Sequence, residues 1–206
     1  MLSLNIFLYL VIIFSSVVHE YSHGWMAYRL GDPTAKNAGR LTLNPLVHID
    51  LIGTVILPLF LLLTSGIFIG WAKPVPYNPY NLSDKRYGSL KVGLAGPASN
   101  ILLAVLLGFL LRLFTAYYPM FAGVFPPIFF ELIGFIVYIN IFLALFNLLP
   151  FPPLDGSKIF EDLFPRYRMQ IVSLGFAGIF LALMVSFYFL PPLAQFVFQI
   201  ITGQRF

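Results

Sequence analysis

The 206-residue chain contains no cysteine. That absence removes disulfide staples, thiolate metal ligands and a cysteine nucleophile together. Charge is scarce as well: 10% of residues are Asp, Glu, Lys or Arg, against about 25% in a soluble domain. No polar stretch is long enough for a second, soluble domain, so residues 1–206 are expected to form a single membrane-embedded domain. What fills the chain is apolar side chain, 59% of it, with a mean hydropathy of +0.89. These features predict an all-α polytopic membrane protein, a transmembrane helix bundle. With three histidines present, any metal must be held by His19, His23, His48 and carboxylates. The net charge of +4 reads as a membrane-orientation signal and not a nucleic-acid footprint, because the basic residues sit in short loops between apolar runs.

The first apolar run has neither a basic n-region nor an A-x-A-like cleavage site and is expected to be an uncleaved span, from about Leu4 to Tyr28. Gly31-Asp32-Pro33 stops it. Thr34 to Asp50 is polar and reads as loop or short strands at the membrane surface. Leu51 to Trp71 is apolar but interrupted by Gly53, Pro58, Gly66 and Gly70. The proline-rich run Pro74 to Tyr80 suits extended backbone. Clear spans follow at about Val92 to Leu113 and Ile128 to Leu149. A polar, charged loop then leads to Arg168, with further membrane segments over about 171–203, divided by Pro191-Pro192. The first two clear spans are thus joined by a re-entrant or membrane-associated loop or short β region.

At the far end of the first span stands His19-Glu20-Tyr21-Ser22-His23, an H-E-x-x-H. On a helix the two histidines are i and i+4, about 6 Å apart along one face. That spacing lets two imidazoles hold one divalent metal, with the intervening glutamate set to take a proton from water there. Ionisable groups in an otherwise apolar span are costly and rarely idle.

A catalytic zinc usually has three protein ligands. A metzincin continuation would need Gly at 26 and His at 29, where the chain has Met26 and Arg29. Glu131 falls near the start of a span and Glu161 in a charged loop, and neither is well placed. Asp155 follows a span directly, beside three prolines that break the helix, with Gly156 permitting a tight turn. On local sequence alone it is equally an ordinary Asp-Gly turn. Topology favours the ligand. If Leu51–Trp71 is re-entrant, Asp155 returns to the face of His19; if it crosses, Asp155 lies opposite. The re-entrant course also gathers Arg29, Lys36, Arg40, Lys73, Lys85, Arg86, Lys91, Lys158, Arg166 and Arg168 on one face. By the positive-inside rule that face is cytoplasmic, with the N-terminus outside.

Asn140 and Asn147, seven residues apart, share a helix face. Asn140 is expected to join helices by hydrogen bonds, and Asn100 reads as a structural residue. The Asn147 amide could donate to an oxyanion near the metal. His48 is the spare histidine; it could serve as a substrate-pocket donor or support a metal ligand from outside, but reads first as a surface-loop residue.

Taken together, the motifs His19–His23, Ala95-Gly96-Pro97-Ala98-Ser99-Asn100 and Asn147-Leu148-Leu149-Pro150-Phe151-Pro152-Pro153-Leu154-Asp155-Gly156 resemble the site-2 protease family of intramembrane zinc metalloproteases, peptidase family M50. The last motif is similar to the family's N-x-x-P-x-P-x-L-D-G, and the match covers about Val11–Lys158. Asn44–Asp50 and Gly70–Pro76 further resemble its compact branch, which lacks PDZ and CBS domains. The resemblance implies one zinc per chain on His19, His23 and Asp155, Glu20 as general base and Asn147 assisting at the oxyanion. It implies a catalytic core of about residues 4–158 in a multi-pass protein of the cell membrane, and a transmembrane protein or peptide as substrate. An unwound substrate could add as a strand to Pro74–Tyr80 if that stretch has a free edge. The alternatives are a membrane metal transporter, or a scaffold built on a structural metal, using the same three residues. The natural substrate, the cut position and the oligomeric state are not written in the sequence.

Overall fold

The structure, a computed structural model, describes residues 2–65, 70–121, 123–175 and 177–206. In chain order its helices are α1 (Leu2–Arg29), α2 (Thr34–Asn37), α3 (Pro45–His48), a π-helical stretch (Leu51–Ile56) running into α4 (Leu57–Ser65), α5 (Gly88–Ala116), α6 (Tyr118–Phe121), α7 (Pro127–Asn147), α8 (Asp155–Leu163), α9 (Arg168–Ser173) and α10 (Ala177–Thr202). Among the described residues there is no strand. The chain is all-α, and the described residues between α1 and α5 form loops and short helices, with no strand among them. Local chemistry explains this in part: the Asn44 side chain accepts from the Leu46 N–H and Pro45 opens α3, so the polar stretch closes on itself in single turns.

Four helices are long and apolar enough to cross a membrane: Leu4–Arg29, Gly88–Ala116, Pro127–Asn147 and Ala177–Thr202. The shortest has 21 residues, about 31 Å at 1.5 Å per residue, which matches a hydrocarbon core of about 30 Å. The protein is a multi-pass membrane protein. The apolar helix Leu51–Leu61 is shorter than a span. Part of the expected break in that segment, residues 66–69, lies outside the described residues.

Two sequence expectations are corrected here. Pro191 and Pro192 do not divide the last segment; both lie inside α10, as Pro97 lies inside α5. Leu190 and Ala194, on either side of the pair, are buried, so packing carries the helix past its missing N–H groups. The loop after Leu154 is not irregular: it opens with the nine-residue helix α8.

The chain forms two compact units, Met1–Gly96 and Pro97–Phe206. In the first, Ala27, Leu82 and Val92 make a small buried cluster, with Met26, Leu30 and Tyr77 packed against it. The Tyr9 hydroxyl donates to the Thr54 carbonyl. Gly53 and Thr54 also meet Trp71: the Trp71 N–H donates to the Gly53 carbonyl (3.0 Å) and the Thr54 hydroxyl to the Trp71 carbonyl (2.8 Å). Just beyond α1, fully buried Asp32 accepts from the Thr34 hydroxyl (2.5 Å), the Asn78 N–H (2.6 Å) and the Asn81 amide (2.9 Å). Burial alone would raise its pKa, but the donors from Thr34, Asn81 and the Asn78 backbone outweigh it and hold the carboxyl below its ordinary range.

In the second unit, α5, α7 and α10 pack through Ala104, Leu111, Val137, Ile141, Ala194 and Phe198. Lipid is as apolar as leucine, so small residues and buried polar pairs have to carry this association. Asn100 on α5 donates to the Asn140 side chain on α7 (2.8 Å), and both residues are fully buried. That is the helix-joining role expected for Asn140.

Candidate active site

The last apolar turns of α1 present His19 and His23 on one face, each 6% exposed. Their Nε2 atoms are 3.0 Å apart and their rings are edge-on. Nδ1 of His23 lies 2.6 Å from the Val92 carbonyl. A carbonyl can only accept, so Nδ1 carries the proton and Nε2 keeps its lone pair for a ligand bond. Two imidazole nitrogens bound to one tetrahedral zinc at ~2.05 Å would be ~3.3 Å apart, close to the spacing found.

Gly96, at the end of the same unit, completes this cradle. A Cβ there would lie 2.4 Å from His23 Nε2 and 2.6 Å from His19 Nε2. In the sequence Gly96 is one small residue of the run Ala95–Asn100; its specific role is to leave open the point both imidazoles face. The donor set and the open space fit a divalent metal. Gly96→Ala should therefore weaken zinc binding at least 10–100-fold, the range seen when groups around metal ligands are disturbed. Zinc per chain, measured as chelator concentration is raised, checks this.

Glu20 is half-buried and points its carboxylate at the proline-rich strap: Oε2 accepts from the Val75 N–H at 2.7 Å. The strap is non-helical over residues 70–78. Its Trp71, Lys73 and Val75 N–H groups are engaged by the Gly53 carbonyl, the His48 carbonyl and Glu20. Pro74 and Pro76 have no N–H to offer. Within Pro74–Tyr80 the Val75 N–H is thus engaged by Glu20 and the Asn78 N–H by Asp32, so neither is open to an added strand.

In the second unit, Asp155 is the first residue of α8 and is 7% exposed. Lys158 Nζ stands 3.1 Å from its Oδ1. The turn before it is tightly folded: a Cβ on Gly156 would fall 2.3 Å from the carbonyl oxygens of Leu148 and Leu149. Asn147 closes α7, half-buried, and its amide donates to the Leu143 carbonyl at 2.9 Å. Its NH₂ group carries a second hydrogen for another acceptor.

His48 is not a surface residue. It is 1% exposed, its Nε2 donates to the Thr42 carbonyl (2.8 Å), and Nδ1 is buried without a hydrogen-bond partner among the described residues. Asn44–His48 folds inward as a helical turn, which places the imidazole in the interior of the unit. Arg40, counted in the sequence only as one cation of a basic face, is also buried. Nothing in composition distinguishes it from the exposed Lys36 or Lys85.

Comparison with known proteins agrees with this chemistry. The family model for peptidase family M50 matches residues 124–191. Over 200 residues, 95% of this chain and 85% of the relative, the sequence is 42% identical to "Putative zinc metalloprotease YwhC" of Bacillus subtilis. "Putative zinc metalloprotease Rip2" of Mycolicibacterium smegmatis is 35% identical over 147 residues, 71% of this chain and 53% of the relative. MJ0611 of Methanocaldococcus jannaschii, named likewise, is 36% identical over 95 residues, 46% of this chain and 44% of the relative. No solved structure matches significantly. With paired imidazoles on an apolar helix, a neighbouring glutamate and a relative matched along nearly its whole length, the chain belongs to peptidase family M50, the site-2 protease family, and is a membrane zinc metallopeptidase that uses one zinc ion.

Proposed function

We propose that residues 1–206 act as one intramembrane endopeptidase domain that cuts peptide bonds within or near transmembrane segments of other membrane proteins, as in regulated intramembrane proteolysis. The observation that carries this is the placement of His19, Glu20 and His23 on a helix apolar enough to cross a membrane, with Gly96 holding open the point the imidazoles share. Nε2 of His19, Nε2 of His23 and a carboxylate oxygen of Asp155 are the three protein ligands. Two neutral imidazoles and one carboxylate suit zinc with a position left for chemistry. When bound, zinc supplies a Lewis acid that polarises the scissile carbonyl and lowers the pKa of water toward neutrality.

Glu20 takes the proton from the attacking water and delivers it to the leaving amine. The Val75 N–H keeps one carboxylate oxygen engaged, which leaves the other for the proton. Asn147 donates its second amide hydrogen to the carbonyl oxygen as that atom gains charge; one such donor is worth about 10²–10³ in rate. A helical substrate must unwind first, because its carbonyls are held in i→i−4 hydrogen bonds.

The metal face lies toward the cytoplasm and the N-terminus outside, with the segment from Leu51 entering the membrane and returning. The hydrogen bonds that link Trp71 with Gly53 and Thr54 support that course, since they bring the segment's two ends together. The clustering of basic residues in the loops supports the orientation.

The test is to place the purified protein in phosphatidylethanolamine–phosphatidylglycerol vesicles with a labelled single-span peptide. Cleavage inside the apolar stretch, located by mass spectrometry, should stop with 1,10-phenanthroline and return with zinc. Cuts confined to the water-exposed flanks, or indifferent to zinc, would refute the proposal.

A further inference from the structure

Arg40 is a buried cation in the first unit, 7% exposed. Its guanidinium donates to three backbone carbonyls: Val47 (2.5 Å), Lys73 (2.6 Å) and, more distantly, Pro74 (3.4 Å). Among the described residues its Nε is buried with no hydrogen-bond partner. Burying a charge against neutral acceptors is expensive. A neutral side chain could tie two loops together at lower cost, so the geometry it imposes calls for another explanation.

Following the hydrogen bonds outward from Arg40 gives one. Lys73 is held at both polar groups, its carbonyl by Arg40 and its N–H by the His48 carbonyl at 2.9 Å. Val75, two residues on, sits between Pro74 and Pro76, whose rings fix φ and supply no competing donor. Asp32 pins the far end of the strap through the Asn78 N–H. The stiff piece between these anchors directs a single N–H, that of Val75, at Glu20 Oε2. The peptide unit linking Pro74 to Val75 has its carbonyl facing Arg40 and its N–H on Glu20. The positive charge at the oxygen end of that peptide strengthens the N–H as a donor to a carboxylate.

We propose that Arg40 is a positioning residue for peptide hydrolysis: through the Pro74–Val75 peptide it holds the Glu20 carboxylate in place for proton transfer. This rests on Glu20 being the general base, and it adds a residue that lies beyond α1 and α2, outside the H-E-x-x-H motif. Lysine cannot replace it, because one ammonium on a flexible stem lacks the planar fork that reaches the Val47 and Lys73 carbonyls together.

The test uses the full chain in vesicles with the same single-span peptide, measuring kcat, KM and zinc per chain. R40A is expected to keep its zinc and hold KM within about 2-fold while kcat falls about 10–100-fold. R40K should recover little, and added guanidinium ion should restore part of the R40A rate. V75P, which deletes the N–H itself, should lose kcat to a similar extent. The R40A/V75P double variant should be no worse than V75P, since both act through one hydrogen bond. K36Q, a change of an exposed cation nearby, should leave kcat as it is. Additive losses in the double variant, or a change confined to KM, would overturn the proposal. Loss of zinc in both R40A and R40K would assign Arg40 to holding the fold and overturn it too. E20Q serves as the reference. If E20Q cleaves normally, the general base is misassigned; if E20Q is inert and R40A normal, only the role of Arg40 fails.

Discussion

Glu20→Gln is expected to leave one zinc per chain in place and to lower peptide cleavage about 10²–10⁴-fold, the usual contribution of a positioned base. Glutamine has nearly the same shape, and its amide oxygen can still accept from the Val75 N–H that now meets Oε2 at 2.7 Å. The strap and the imidazole pair should therefore be undisturbed. What is lost is basicity alone. A metal transporter would not need it, because transit requires ligands and no proton acceptor between them. A structural metal would not need it either, and would more often have four closed protein ligands. Zinc content and kcat on a vesicle-bound single-span peptide separate these cases: normal cleavage, or zinc lost with the mutation, would remove Glu20 from the mechanism.

The membrane class, the first three long helices and the paired histidines are legible in the sequence because each rests on a short-range pattern. Apolar runs longer than the bilayer need no tertiary information, and H-E-x-x-H is fixed by one turn of helix. The parts that are not legible depend on what a residue meets. Pro191-Pro192 reads as a break by backbone rules, yet buried neighbours carry α10 through it. His48 reads as a loop residue by composition and lies in the interior. Gly96 is one small residue among several until the two Nε2 atoms are placed beside it. Arg40 is one of twelve basic residues, and only its three carbonyl acceptors and its burial set it apart. The strap shows the same division: its prolines announce extended backbone, but not that its N–H groups are already committed to Gly53, His48 and Glu20.

Asp155→Ala should remove most bound zinc and abolish cleavage, and of all single changes this one bears most directly on how the site is completed. His19 and His23 supply two neutral nitrogens, and a divalent ion held by these alone would lack both a third protein ligand and charge compensation. Asp155 has two other plausible jobs that the experiment must separate. As the first residue of α8 it favours the helix dipole, worth about 0.3–1 kcal/mol. It also faces Lys158 at 3.1 Å, across a pair whose lysine is 35% exposed, so the pair contributes little to stability. If Asp155 serves only those purposes, Lys158→Ala should reproduce part of the phenotype, and Asp155→Asn, which keeps a polar group at the helix start, should leave zinc at one per chain. If Asp155 is the third ligand, Lys158→Ala should leave zinc bound. Asp155→Asn should then lose zinc at chelator concentrations that the unmodified chain withstands, because a neutral amide replaces the anionic ligand. Zinc retained at full stoichiometry in Asp155→Ala would return the residue to an ordinary Asp-Gly turn and require the third ligand to come from elsewhere.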